Sequence, residues 1–187
     1  RSGSFDLEVE IIEPGVHFLQ IQGDQASFPF IAEPGTVNVE IYKDSLGVSK
    51  ATGTTSNDDF MRYKLETRVY IASLNGIGND LQQAMILKDS LLAQDLQEQY
   101  QDVRDQIKSY ELSFIKEASD SFISILILER FVSNKAISIS EAREIFEGFS
   151  DRIKMSASGK GVEKQLIPSE KPEVGEFAPL FNGPNPD

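Results

Sequence analysis

Acidic side chains are the residues best suited to do chemistry in this 187-residue chain, which contains no cysteine and a single histidine, His17. Without thiols, these residues form no disulfide, thiolate metal site or cysteine nucleophile. One histidine excludes a two-histidine metal site and a Ser/His relay within one chain. We expect His17 to lie on the solvent face of a strand, as isolated polar strand residues usually do.

Two groups of acidic residues have the types needed for metal binding or proton transfer. Residues 57–59 (Asn-Asp-Asp) offer oxygen ligands for calcium, but they lack the spacing of an EF-hand loop, and a helix start is the favoured interpretation. Asp102, Asp105 and Glu111 suit general acid–base chemistry. Their segment is rich in charged residues, so we expect them on a solvated helix face. The sequence therefore predicts no catalytic, cofactor-binding or metal-binding residue.

Two further motifs are weaker signals. Gly76-x-Gly78 resembles part of a phosphate-binding loop, but it lacks the third glycine, the preceding parallel strand and the lysine of such loops. Phe28, Phe30 and Tyr42 could form an aromatic platform for a ligand. Packing in the core is the favoured alternative, because strand aromatics bury a large area.

The charge balance excludes one class of partner. The chain has 30 acidic against 18 basic residues and a net charge of −12. Nucleic-acid binding needs a basic surface, so we predict no nucleic-acid partner. No apolar run approaches the roughly 20 residues needed to span a bilayer, so we expect no transmembrane segment.

The first part of the chain, residues 1–55, has the pattern of antiparallel strands. Alternating apolar and polar residues separated by Gly- and Pro-containing turns predict strands over 5–11, 16–21, 27–32, 37–42 and 47–52. Pro29 cannot donate to a ladder, which places the third strand at an edge or bulge. Together they predict a small antiparallel β-sheet or sandwich.

The second part, residues 56–167, has the pattern of a helical subdomain, so the fold class is α+β. Residues 54–59 predict a helix start, and residues 75–79 (Asn-Gly-Ile-Gly-Asn) are expected to break or loosen that helix. From residue 80 to about residue 117 there is no Gly or Pro, which predicts one helix roughly 55–60 Å long. We expect it to form a long helical hairpin with residues 60–74.

One face of this long helix is the candidate protein-interaction surface. From Ala93 onward, apolar residues follow alternating steps of three and four and form one stripe. The candidates are Leu96, Tyr100, Val103, Ile107, Tyr110 and Phe114. A face of this size needs a partner, which is the 60–74 helix, the apolar 122–132 segment or a second chain in a symmetric homodimer.

Three shorter elements follow the long helix. Residues 122–132 are apolar nearly all round, which predicts a buried helix. Ser138-x-x-Glu141 predicts a capping box at the start of an amphipathic helix that reaches Ile153. A short element over 160–167 then leads to a proline-containing linker.

The order of several short motifs resembles a known family. Phe30-x-x-Glu33-Pro34-Gly35 is followed by a strand, by Gly53-Thr54-x-x-Asn57-Asp58, by helices, and by Val174-Gly175-x-x-Ala178-Pro179-x-Phe181. This order resembles the uncharacterised N-terminal domain, a β-sandwich plus helices, that precedes the thioredoxin-like domain of Gram-negative envelope thiol:disulfide oxidoreductases. The resemblance covers nearly the whole chain. The family usually has further strands before the position of Ser4, which implies that the sandwich here lacks its first strands.

The resemblance implies a non-catalytic partner domain in the periplasm or cell envelope, with a membrane anchor upstream as one arrangement. Residues 168–187 are then a linker and the truncated entry to a thioredoxin-like domain, whose redox cysteines lie beyond Asp187. The implied partners are that C-terminal domain and a target protein, and no cofactor is implied. The alternative is a ligand-binding envelope module with a groove between sheet and helices.

Overall fold

The computed structural model describes residues 3–21 and 27–167, and the fold is α+β as predicted. The strands of this part are β1 (Gly15–Gln20), β2 (Ser27–Ala32), β3 (Asn38–Glu40) and β4 (Lys50–Thr52). A short 3-10 turn over Leu46–Val48 precedes β4. The helices are α1 (Thr55–Leu87), α2 (Ser90–Glu117), α3 (Phe122–Ser133), α4 (Ile139–Glu147), α5 (Asp151–Lys154) and α6 (Ala157–Leu166).

The strands of the described part form two separate two-stranded antiparallel sheets, β1–β2 and β3–β4. The predicted strand over residues 5–11 is wrong, because this segment has no regular structure and the side chains of Phe5, Leu7 and Val9 are exposed. Alternation specifies which side chains share a face, but a strand also needs a neighbour for its backbone groups. The predicted 47–52 strand is reduced to Lys50–Thr52.

The outer edge of β2 is closed by a side chain instead of a strand. The Asn57 amide accepts from the Ile31 N–H at 2.9 Å and donates to the Ile31 carbonyl at 2.7 Å. Pro29, two residues earlier, faces the same edge and has no N–H to offer. The predicted edge position of Pro29 is therefore confirmed, and the start of α1 fixes that edge.

The predicted helical hairpin is confirmed, but its turn lies elsewhere. α1 continues through residues 75–79 and ends at Leu87, so the predicted break there and the single helix over 80–117 are both wrong. Glycine within a helix costs only about 1 kcal/mol relative to alanine, which packing along the hairpin can offset. The turn uses Lys88, at a positive φ of 58°, and Asp89, whose side chain accepts from the Leu92 N–H.

The core lies at the base of the hairpin, around α3. As predicted, α3 is a buried helix: eight of its twelve residues are buried, and it packs against α2, α4 and α6. The predicted helix start at Ser138 is also confirmed, since Ser138 Oγ accepts from the Glu141 N–H at 3.1 Å, which is one of the two hydrogen bonds of a capping box. The predicted helix to Ile153 is split after Glu147, and α6 starts at Ala157.

Gly159 explains why α6 turns back so closely on α5. A Cβ atom at this position would collide with the carbonyl oxygens of Ile153 and Lys154. Backbone approach of this kind admits glycine alone. The contact directs α6 across α3, where it buries Val162 and Leu166.

Within residues 3–21 and 27–167, no helix has both the length and the hydrophobicity required to cross a membrane. The predicted linker and domain entry, residues 168–187, lie outside the described residues.

Candidate functional site

The predicted interaction stripe of α2 lies in the seam of the hairpin, opposite α1. Leu96 and Phe114 are buried there, whereas Tyr100, Val103, Ile107 and Tyr110 are half-buried. α1 supplies a matching row of buried and half-buried positions at steps of three and four. These are Phe60, Tyr63, Thr67, Tyr70, Leu74, Ile77, Leu81 and Ala84.

The length of α1 explains why the stripe is covered within one chain. Because α1 does not stop near residue 74, it runs beside α2 along almost its whole length. Both rows have the spacing with which two helices interlock their side chains. In the described structure, the six candidate residues pack between α1 and α2 and hold the hairpin together. Their role in binding another protein stays a prediction.

An aromatic cluster closes the seam near the core. The Tyr63 ring lies 5.5 Å from the Phe114 ring and 6.2 Å from the Tyr110 ring, measured between centroids. The Arg62 guanidinium sits 4.8 Å from the centre of the Phe114 ring. Tyr110 donates its hydroxyl to Glu66 at 2.6 Å, and burial together with this hydrogen bond raises the pKa of the Tyr110 hydroxyl. The cluster therefore joins α1 to α2 by both packing and hydrogen bonds.

Glu111 lies beneath this cluster and is only 2 % exposed. Its carboxylate accepts from the Tyr63 hydroxyl at 2.5 Å and pairs with Arg130 of α3 at 2.5 Å. Burial and the hydrogen bond to Glu111 raise the pKa of Tyr63 above its ordinary range. The predicted solvated position of Glu111 is therefore wrong, because Arg130 supplies the countercharge that a buried carboxylate requires.

A second buried carboxylate, Glu33, joins the sheet part to the helices. It accepts from the Ser56 N–H at 2.7 Å and from the Ser56 hydroxyl at 2.8 Å. Arg152 of α5 donates to the same carboxylate at 2.7 Å. Burial opposes ionisation of Glu33, but hydrogen bonds from Arg152, Ser56 and Thr54 outweigh it and lower the pKa of this carboxyl.

Arg152 extends this junction to the turn before α3. It also donates to the backbone carbonyl and the carboxylate of Asp120. Ser150 donates to the same carboxylate at 2.5 Å, and the hydrogen bonds from Ser150 and Arg152 lower the pKa of Asp120. The network therefore ties three separate parts of the chain, around residues 33, 120 and 152, to one another.

Ser56 contacts a carboxylate, as a catalytic serine could, but its surroundings do not suit a nucleophile. Its hydroxyl donates to Glu33 and accepts from the Phe122 N–H at 2.8 Å, and the residue is fully buried. Both hydrogen-bonding capacities of the hydroxyl are used, and its hydrogen bonds among the described residues include none to an imidazole that could accept its proton. The neighbouring Ser121 hydroxyl is buried and has no hydrogen-bond partner among the described residues. Ser56 thus serves the junction as a structural link between β2, α1 and α3.

The two short motifs Phe30-x-x-Glu33-Pro34-Gly35 and Gly53-Thr54-x-x-Asn57-Asp58 meet at this junction. Ile31 and Glu33 bond to Asn57 and Ser56 across the motifs. At Gly53, which has a φ of +99°, a Cβ would lie 2.6 Å from the Thr36 carbonyl oxygen. The glycine is required by this close approach. The sequence did not identify Glu33 or Arg152 as partners. The only signal for Glu33 was its position before the Pro34-Gly35 turn, and Arg152 had no signal.

The acidic run 57–59 is used at the helix start, as predicted. Besides the Asn57 contacts, Asp58 accepts from the Gly53 N–H at 3.0 Å and Asp59 pairs with Arg62 at 3.0 Å. Over the described ranges, no group of three His, Asp or Glu side chains could hold a metal ion. Calcium binding by this run is therefore not supported.

The remaining motifs are dispersed. His17 is exposed on β1, as predicted, with its ring 6.0 Å from that of Phe30. Gly76-x-Gly78 lies inside α1 and forms no loop. Phe28 is buried, in agreement with core packing, whereas Tyr42 is exposed, so the three aromatic residues share no platform.

Two surface depressions lie on the helical part of the described residues. The larger, about 650 Å³, is open and lies along the hairpin, lined by Tyr70, Asp102, Asp105, Gln106, Ser109, Tyr110 and Ser113. The smaller, about 210 Å³, lies between the end of α2 and α4. Asp102 and Asp105 are therefore on the solvent side, as predicted. Neither depression lies between a sheet and the helices.

Comparison with known proteins gives one partial match. Residues 1–60 match the model of a family described as a domain of unknown function, DUF4369. No curated protein and no solved structure gives a significant match to the chain. The sheet part and the first residues of α1, including the two motifs that meet at the junction, are therefore similar to an uncharacterised domain family.

Proposed function

We propose that this chain is a non-catalytic partner domain of a thioredoxin-like thiol:disulfide oxidoreductase of the periplasm or cell envelope. The observation that carries the proposal is the motif Val174-Gly175-x-x-Ala178-Pro179-x-Phe181, which resembles the entry to a thioredoxin-like domain. In this proposal the 187 residues space the redox domain from the membrane, mediate its association or present a target to it. The 187 residues contain no cysteine, and a thiolate is the nucleophile in thiol–disulfide exchange. This agrees with a proposal in which the redox chemistry belongs to the thioredoxin-like domain.

The arrangement of charged groups supports a non-catalytic role for the described residues. Glu33 and Glu111, the buried carboxylates of this part of the chain, each bind an arginine and a hydroxyl group. A general acid or base needs an accessible oxygen within hydrogen-bond reach of a substrate. Both residues instead use their oxygens to join secondary-structure elements.

The ligand-binding alternative is less well supported. It requires a concave site between sheet and helices, where ligands are enclosed on several sides. The two depressions described above are lined by helices and the turns that follow them.

The coding sequence that follows Asp187 provides the first test. We expect a Cys-x-x-Cys motif within about a hundred residues, the usual size of one further domain. The biochemical test compares the 187-residue chain with the longer polypeptide in an insulin-reduction assay. Activity in the longer polypeptide alone supports the proposal. Turnover by the 187-residue chain, or a longer polypeptide without thiols, would refute it.

A further inference from the structure

The smaller of the two depressions, between the end of α2 and α4, has an apolar lining and a charged rim. Its volume of about 210 Å³ exceeds the roughly 150 Å³ that accepts a benzene ring in an apolar protein cavity, so it has room for one aromatic side chain. Ile115, Ile145 and Phe149 form the apolar lining and belong to the hydrophobic core. We call this depression the α2–α4 pocket, which is completed by Lys116, Ser119, Glu144 and Gly148.

The chain leaves α6 beside the helix that forms one wall of this pocket. The guanidinium of Arg143 in α4 donates to the carbonyl of Leu166, the last residue of α6, at 2.8 Å. Arg143 directly precedes Glu144 of the pocket. Phe177 follows ten positions after Ile167, and ten extended residues span up to roughly 35 Å. A helix with its side chains is about 10–12 Å wide, so the chain after α6 is long enough to cross α4 and reach the pocket.

Phe177 is the first aromatic residue after α6. Residues 168–176 contain two prolines and one valine but no aromatic side chain. Phe177 also stands at one of the two unspecified positions in Val174-Gly175-x-x-Ala178-Pro179-x-Phe181, so the resemblance to a domain entry gives it no role. Its ring gains free energy when it leaves water, and the pocket is the nearest described apolar site of matching size.

The charges on the pocket rim complement those next to Phe177. Lys116 and Glu144 are exposed, and neither forms an ion pair with another described residue. Glu176 directly precedes Phe177. A ring seated in the pocket brings Glu176 to the rim, where Lys116 can pair with it. An exposed pair adds little affinity, but it favours one orientation of the docked segment.

We propose that Phe177 occupies the α2–α4 pocket, with Glu176 beside Lys116. The occupant is thus a segment of the same chain, which follows α6 across the exposed side of α4. The ring packs on the core residues of the pocket lining, and the rim charges fix the direction in which the chain passes over it.

This docking deepens the proposed function, and its consequence for the next domain rests on that function. If residues 174–181 lead into a thioredoxin-like domain, a docked Phe177 holds the entry of that domain at the base of the hairpin. The redox domain would then keep a defined position relative to α2 and α4 instead of moving freely on its linker. The contact between Phe177 and the pocket itself needs no redox chemistry.

Single-tryptophan variants test the contact in the 187-residue chain, which contains no tryptophan. Phe177→Trp should show blue-shifted emission and slow quenching by acrylamide, because its ring is withdrawn from water. The matched control is Phe181→Trp, four positions further on, which should emit at longer wavelength and be quenched faster. Equal emission and equal quenching of the two variants would overturn the proposal.

Filling the pocket tests where the ring lies. Ser119→Phe adds a ring at the pocket wall, so in the Phe177→Trp background it should shift the emission to that of Phe181→Trp. Ser113→Phe adds the same ring at an exposed position of α2 outside the pocket and should leave the emission unchanged. Blue-shifted emission that persists in a folded Ser119→Phe variant would place the ring elsewhere and refute the proposed site. If Ser119→Phe does not fold, the cross-linking below decides.

Cysteine pairs test the same contact without altering the pocket lining, since the chain has no cysteine of its own. Under mild oxidation, Lys116→Cys with Glu176→Cys should form an intramolecular disulfide. Adding Phe177→Ser should slow its formation about tenfold, because docking raises the effective concentration of the two thiols. Phe181→Ser is the control and should leave the rate unchanged. Equal rates with and without Phe177 would sink the idea. They would leave the redox proposal untouched, just as a longer polypeptide without thiols would refute that proposal and not the docking.

Discussion

Arg152 of α5 donates to the carboxylate of Glu33 at 2.7 Å, although 119 positions separate the two residues in the sequence. Glu33 is 5 % exposed, and its other oxygen is held by the backbone of Ser56. The pair therefore connects the residues after β2 with α5. Removing a charge from water carries a desolvation cost, and a partner of opposite charge offsets it. Such a contact therefore matters to stability mainly because the loss of either partner would leave the other charge unpaired.

Replacement of Glu33 by Gln should lower the free energy of unfolding by about 2 kcal/mol, because the hydrogen bonds from Ser56 and Arg152 lose their charged acceptor at a buried position. The cost stays below that of a fully buried ion pair, since Arg152 is one-third exposed and keeps its contact with Asp120. The matched control is Glu40→Gln, which removes the exposed ion pair with Lys50. That change should cost less than about 1 kcal/mol. Urea unfolding of both variants measures the difference. Equal effects would show that the Glu33 network does not hold the two parts together.

Acid should weaken the fold through the same residue. The pKa of Glu33 in the folded chain is lowered from its ordinary value of 4.5, and the pKa of Asp120 is lowered from 3.8. A depressed folded pKa contributes stability above the unfolded pKa, and this contribution is lost as pH falls through the folded value. We expect the melting temperature to fall as pH drops below about 4.5. In Glu33→Gln the fall should be shallower, and an unchanged slope would contradict this account.

A charge in the seam of the hairpin should be costly. Val103→Asp places an unpaired carboxylate between α1 and α2. It should lower the free energy of unfolding by about 3 kcal/mol. Gln97→Asp adds the same group to the solvated face of α2 and should change stability by less than about 0.5 kcal/mol. Thermal unfolding followed by circular dichroism compares them. Equal melting temperatures would mean that the stripe is not buried in solution.

Gly78→Ala tests whether α1 runs through the predicted break. A Cβ at Gly78 would meet nothing within 4 Å, and the residue lies inside a helix. Alanine should therefore raise the free energy of unfolding by about 0.5–1 kcal/mol. Gly53→Ala is the contrasting variant, since its positive φ and the nearby Thr36 carbonyl oxygen make alanine unfavourable. A loss of stability in Gly78→Ala would indicate that this segment is not helical.

Local patterns were sufficient for features that depend on one face of one element. The spacing of apolar residues in α2 identified the face that is buried, and the composition of residues 122–132 identified α3 as a core helix. Ser138 and Glu141 identified the start of α4, because capping is completed within one turn. The same kind of pattern failed at residues 5–11, where alternation was present but the described part of the chain supplies no neighbouring strand.

Only the tertiary structure decided which partners fill these faces. The stripe of α2 could be covered by α1, by α3 or by a second chain, because periodicity records that a face is apolar and not what it meets. The hairpin turn lies at Lys88 and Asp89 because packing along the seam outweighs the small cost of two helical glycines. Glu33 and Arg152 carry no mutual signal in the sequence, and folding alone brings them within hydrogen-bond distance, where burial makes their pairing necessary.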